Sequence, residues 1–143
     1  MNTPWVESPF FKELLDSKNL SEKNKQLAID YNENGFIVIP NLISESEIDA
    51  IKSDMDNKGY NPEFKMENQR DHVRIQDLWM YSESTKNVAC NTEIASILKM
   101  LYEREPIPFQ TLNFRVGSQQ RAHSDTIHFS SIPAKFMCGV WVA

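Results

Sequence analysis

The stretch from Arg115 to Phe129, RVGSQQRAHSDTIHF, constrains this chain more than any other. His123 and Asp125 stand two residues apart at its centre, and on an extended strand such side chains point to one face. An imidazole and a carboxylate on a common face begin an open site for a divalent, redox-active metal. By itself the tripeptide is weak and reads first as a surface histidine beside a solvated or turn-capping aspartate, so the flanks carry the argument. Upstream, Phe109 to Val116 alternates, with Leu112, Phe114 and Val116 on one face and Thr111, Asn113 and Arg115 on the other, as in a half-buried strand. Downstream, Phe136 to Ala143 (FMCGVWVA) reads as a second apolar strand.

Before these strands the chain reads as helices. Phe11, Leu14 and Leu15 have one-face spacing for a short helix in an N-terminal arm. Ser21 is placed to cap a second helix with a Leu27, Ala28, Tyr31 stripe, and Gly35 sits where a terminator belongs. Phe36 to Ile39 is predicted as a brief strand stopped by Pro40. Ser44-Glu-Ser-Glu47 is a capping box, stapled by Ile43 and Ile48. The helix it opens buries Ile48, Ile51 and Met55 and ends at Gly59. Residues 60–73 are polar and read as a loop, with His72 a surface histidine. Arg74 to Tyr81 is apolar enough to line a cavity or fill core, and Trp79 reads as core. Asn91 or Thr92 caps a helix whose Ile94, Ile97, Leu98, Leu101 stripe is predicted to lie against a sheet. Helices first and strands last make an α+β chain, a helical layer over an incomplete β-structure.

A length of 143 residues fits one domain, and 41% hydrophobic with 10% aromatic residues suffices for a core. The net charge of -5, with Lys and Arg scattered, argues against a nucleic-acid or anionic-membrane surface and for small-molecule partners. Cys90 and Cys138 form no CxxC pair, which suits a reduced, cytoplasmic setting. MNTPWVESPFFKELL has no basic start followed by an apolar run, and no stretch approaches the roughly 18 apolar residues of a membrane span. A soluble, intracellular protein is the expectation.

Three blocks, taken together, resemble the phytanoyl-CoA dioxygenase family of non-haem iron, 2-oxoglutarate-dependent oxygenases. They are the helix running into Asn34-Gly-Phe-Ile-Val-Ile-Pro40, the block Arg74-Ile-Gln-Asp-Leu-Trp79, and the strand, His-x-Asp, strand series ending at Ala143. The resemblance implies N-terminal helices packed on an incomplete double-stranded β-helix of jelly-roll or cupin type. Residues 1–143 would be one domain, mainly helical over 1–108, with the first core strands over 109–143. It makes His123 and Asp125 two ligands of Fe(II). Arg74 matches a basic residue that helps hold 2-oxoglutarate, or is a structural arginine. Thr111 and Asn113 match cosubstrate-facing positions, or are ordinary strand residues. Trp141 matches an aromatic walling the cosubstrate pocket and is also a natural core residue.

The third ligand in that pattern is a histidine much further along, followed by an arginine for the distal carboxylate of 2-oxoglutarate. The chain is therefore expected to be the N-terminal portion of an oxygenase, truncated and inactive alone. His128 faces away from the pair on a regular strand and replaces neither. With 2-oxoglutarate and dioxygen as partners, the implied reaction is decarboxylation to succinate coupled to hydroxylation of a small organic substrate. Halogenating relatives have a small residue at the carboxylate position, so Asp125 favours hydroxylation. The alternative class is a non-catalytic, jelly-roll-like module binding a ligand or protein. In either case an unclosed strand edge invites self-association.

Overall fold

Residues 3–64, 66, 74–118, 121, 123, 125, 129 and 131–143 are described by a computed structural model. Among them run the helices α1 (Phe11–Ser17), α2 (Glu22–Asn34), α3 (Glu45–Asp54), α4 (Glu83–Ala89) and α5 (Thr92–Tyr102), and the strands β1 (Arg74–Gln76) and β2 (Leu112–Phe114). The architecture is α+β, helices with a small antiparallel ladder. The chain divides into two units, one of residues 1–40, 93–106 and 123–143, the other of residues 41–92 and 107–122. No helix among the described residues is long and apolar enough to cross a membrane.

Trp5 anchors the first unit. Its ring stacks on Phe11 at 5.5 Å, lies under the Lys18 ammonium at 4.6 Å, and donates from Nε1 to the Met100 carbonyl at 2.9 Å. Val6, Ala28, Leu101 and Tyr102 complete the buried cluster, with Leu14, Leu15, Ile97 and Leu98 packed around it. The spacing in α1 and α2 thus buries the predicted stripes. Ser21 Oγ accepts from the Asn24 amide, and Gly35 closes α2 with φ 78, returning its N–H to the Tyr31 carbonyl at 2.8 Å. Only a residue without Cβ takes that conformation freely. The Tyr31 and Tyr102 hydroxyls meet at 2.7 Å, and burial raises both phenols above their ordinary value.

Three expectations are corrected in this unit. The α5 stripe packs on helices and Trp5 rather than on a sheet, because its neighbours are α1 and α2 side chains. Phe36 to Ile39 is not a strand, and Val38 is 75% exposed. Phe136 to Ala143 is likewise not a strand, with Val140, Trp141 and Val142 exposed. Both segments have strand-forming residues but no ladder among the described residues, and β propensity needs a pairing surface to act.

The second unit is built from α3, which opens on the full capping box: Ser44 Oγ accepts from the Glu47 amide and Glu47 returns to the Ser44 amide at 2.9 Å. After Asp54 the helix widens into one π-type turn, Met55–Gly59. Gly59 ends this helical run, as its position predicts, without a left-handed backbone. It is buried because a Cβ there would meet Ile75 Cδ1 at 2.2 Å. Ile75 and Leu78, both 0% exposed, form the core with Met55 and Met66. β1 pairs antiparallel with β2 in the register Arg74↔Phe114, Ile75↔Asn113, Gln76↔Leu112. The amphipathic reading of β2 inverts here. Asn113, opposite Ile75, shares the buried face, while Leu112 and Val116 are exposed, Val116 at 77%.

Helix α4 has no strong periodicity and was not foreseen. Ser82 caps it through the Thr85 amide, and the same hydroxyl donates to Asp54 Oδ2 at 2.6 Å. Ser84 Oγ adds a bond to Asp54 at 2.9 Å, and Lys58 Nζ spans Asp54 Oδ1 and the Tyr81 carbonyl, each at 2.7 Å. Burial alone would raise the Asp54 carboxyl, but the bonds from Lys58, Ser82 and Ser84 outweigh it and hold the group below its ordinary 3.8.

Two outcomes are expected. Gly59→Ala loses about 1–3 kcal/mol in urea unfolding from overpacking against Ile75, and adding Ile75→Val recovers part of it; additive losses would show that the contact is not the cause. A carboxyl lowered on folding stabilises above its unfolded value, and that contribution disappears as pH falls through the folded value. The stability gap between the parent and Asp54→Asn therefore narrows as pH is taken from 6 to below 3.8. Urea midpoints along that series measure it.

Candidate functional site

His123 and Asp125 lie on irregular chain rather than on a strand, and Asp125 opens a turn closed by the Phe129 N–H at 3.0 Å from its carbonyl. The side chains nevertheless converge: His123 Nε2 stands 3.4 Å from Asp125 Oδ1. Neighbouring ligands on an ion with bonds near 2.1 Å sit about 3 Å apart, so a small closure brings both donors onto one ion. Their side chains are 29% and 53% exposed, which leaves open coordination positions and a path for the ion. The other carboxylate oxygen, Oδ2, faces Gly139, where a Cβ would lie 4.0 Å away. Among the described residues no third His, Cys, Asp or Glu joins the pair. His72 and His128 lie outside the described residues. The donor set is thus chemically suited to a ferrous ion as two members of a two-histidine, one-carboxylate set.

Trp141, also in the first unit, is 72% exposed and is not a core residue. The remaining assigned residues belong to the second unit. Thr111 and Asn113 share the β2 face that carries Ile75 across the ladder. Arg74 pairs with Phe114 and so projects from the opposite face, which separates it from the two residues it was grouped with. Asn113 Oδ1 is buried without a hydrogen-bond partner. Buried polar atoms are normally satisfied. That oxygen is an acceptor, so the group that would satisfy it is a donor such as a hydroxyl or an N–H.

Asp77 carried no assignment although it lies in the Arg74–Trp79 block. Its backbone is left-handed, φ 58 and ψ 37, and its N–H donates to the Thr111 carbonyl at 2.8 Å. Oδ1 accepts from the Thr111 amide at 3.4 Å and from Trp79 Nε1 at 3.3 Å, and Thr111 Oγ1 accepts from the Trp79 amide at 3.4 Å. Trp79, expected as core, is half-buried and takes part in this ring. The only sequence signal was an acid between a strand and a turn.

The family model described as phytanoyl-CoA dioxygenase (PhyH) matches residues 31–143. The chain belongs to the phytanoyl-CoA dioxygenase family. This is a family of dioxygenases that generally use Fe(II) and 2-oxoglutarate, and at that level the protein is an oxidoreductase acting with dioxygen. Comparison with curated proteins and with solved structures returns no match.

Because the pair is solvent-reached, His123→Ala and Asp125→Ala are each expected to change stability by less than about 0.5 kcal/mol. Thermal melts of the metal-free protein measure this, and a loss of several degrees would make the pair structural.

Proposed function

We propose that this protein is an Fe(II)/2-oxoglutarate-dependent hydroxylase of a small organic substrate, with His123 and Asp125 as two of its three protein ligands to iron. The observation that carries this is the 3.4 Å approach of His123 Nε2 and Asp125 Oδ1 on an open surface, within a chain of this family. The ferrous ion, when bound, would supply dioxygen activation and the oxidation of the substrate C–H bond. The chain's own residues bind and orient. His123 contributes a neutral nitrogen lone pair and Asp125 one oxygen, and Gly139 leaves the second carboxylate oxygen uncrowded. An acid at position 125 occupies the place a halide would need, so hydroxylation rather than halogenation follows.

Thr111 and Asn113 would present hydroxyl and amide groups to 2-oxoglutarate, with Arg74 and Trp141 as further cosubstrate residues. The β1–β2 ladder is read as part of the opening of a jelly roll in one domain over 1–143. This reading assigns no residue as the third imidazole or as the arginine for the distal carboxylate. A reduced cytoplasm suits the two free cysteines.

The test is succinate formation from 2-oxoglutarate with iron and ascorbate. In the full-length protein His123→Ala or Asp125→Ala is expected to lower turnover at least about 100-fold, in line with losing a metal ligand. Unchanged turnover in either variant removes the metal assignment.

A further inference from the structure

We infer that Asp77 is a positioning residue that sets the Thr111 hydroxyl for a carboxylate-bearing ligand, an inference that rests on the cosubstrate role proposed for Thr111. The left-handed backbone at Asp77 is one that glycine adopts most freely, and Asp or Asn tolerates it. Glycine would keep the 2.8 Å bond from residue 77 to the Thr111 carbonyl, since that bond uses only main chain. What the aspartate adds is its carboxylate. Oδ1 reaches the Thr111 amide and the Trp79 indole, at 3.4 and 3.3 Å. Trp79 in turn donates its own amide to Thr111 Oγ1.

Three residues thus close a ring of four hydrogen bonds around one side chain. The three that involve side chains are long, so each is weak, and together they orient more than they bind. The consequence falls on the Thr111 hydroxyl. A hydroxyl has one proton to give and two lone pairs to receive. Here the oxygen is committed as acceptor to Trp79, which leaves its proton to be donated outward. The group fitted to take it is a carboxylate or carbonyl oxygen. Asn113, two residues along on the same face, leaves its Oδ1 acceptor without a partner, so that atom takes a donor and does not add to the contact with a carboxylate. The site so described meets an oxyanion through the oriented Thr111 hydroxyl, and Asp77 is the part that orients it without touching the ligand.

Two variants separate the carboxylate from the backbone. Asp77→Gly suits the left-handed turn but removes Oδ1, whereas Asp77→Asn suits it and keeps an accepting oxygen. In residues 1–143, Asp77→Gly is expected to speed hydrogen exchange at Trp79 Nε1 and the Thr111 amide about tenfold, as loss of a hydrogen bond allows, with the β1–β2 ladder amides unchanged. In the full-length protein the same variant raises KM for 2-oxoglutarate about tenfold with kcat within about twofold, and Asp77→Asn stays within about threefold of the parent on both. Unchanged exchange overturns the inference. So does faster exchange with an unmoved KM, or loss of ladder protection along with the two reporter hydrogens, since either makes Asp77 merely structural. A parent protein with no 2-oxoglutarate turnover instead strikes the oxygenase reading, and the exchange measurement, which needs no ligand, still decides whether Asp77 holds Thr111.

Discussion

Ile75 meets Gly59 so closely that a single added methyl group has nowhere to go, and the arrangement of the second unit follows from that contact. A three-residue ladder is too short to be stable by itself. Burying Ile75 completely, with Leu78, Met55 and Met66 around it, contributes about 1.5–3 kcal/mol per side chain. This is what holds β1 in place. The π-type turn after α3 serves the same contact, because it places Met55 and Gly59 together against the isoleucine. The antiparallel register then leaves no freedom on β2: the residue opposite Ile75 must share its face, and that residue is Asn113. The buried Asn113 Oδ1 without a partner is therefore a consequence of packing at position 75.

In the first unit the relation between packing and site is the reverse. Trp5, Phe11 and Leu101 make a core to which His123 and Asp125 contribute little, and an exposed histidine–carboxylate pair adds almost nothing to stability. On the proposed reading a divalent ion would gain from donors already near cis spacing and would lose less in gathering them.

How much of this was legible from the residues divides along one physical line. Caps and stripes are local, and the α2 cap at Ser21, the left-handed stop at Gly35 and the capping box at Ser44 stand where the residues place them. Strands depend on a pairing surface elsewhere in the chain, and there the residues mislead. The alternation over 109–116 marks the true period of β2 but assigns its faces backwards, because alternation cannot say which face meets the core. Gly59 stops the helical run where the residue predicts, but its close approach to Ile75 was not legible, since a stop and a close approach have the same letter. His-x-Asp was legible as a pair although its strand is absent, since a turn also brings i and i+2 together. Asp77 was not legible at all. Its role rests on three bonds to residues two and thirty-four positions away, which no local pattern encodes.

The charge on the β2 face bears on how a dicarboxylate would be held. The Thr111 hydroxyl offers a neutral hydrogen bond, worth about 0.5–1.5 kcal/mol net, and bonds to a charged donor are roughly twice as strong. Such a contact selects and orients an oxyanion but does not neutralise it. Arg115, two residues from Asn113, is engaged by Asp56 and lies over Tyr60, and the register sends Arg74 to the other face of the ladder. On the proposed reading the compensating charge would therefore come from the metal, through chelation, and from a cation other than Arg74, which leaves the Thr111 hydroxyl to orient rather than to neutralise.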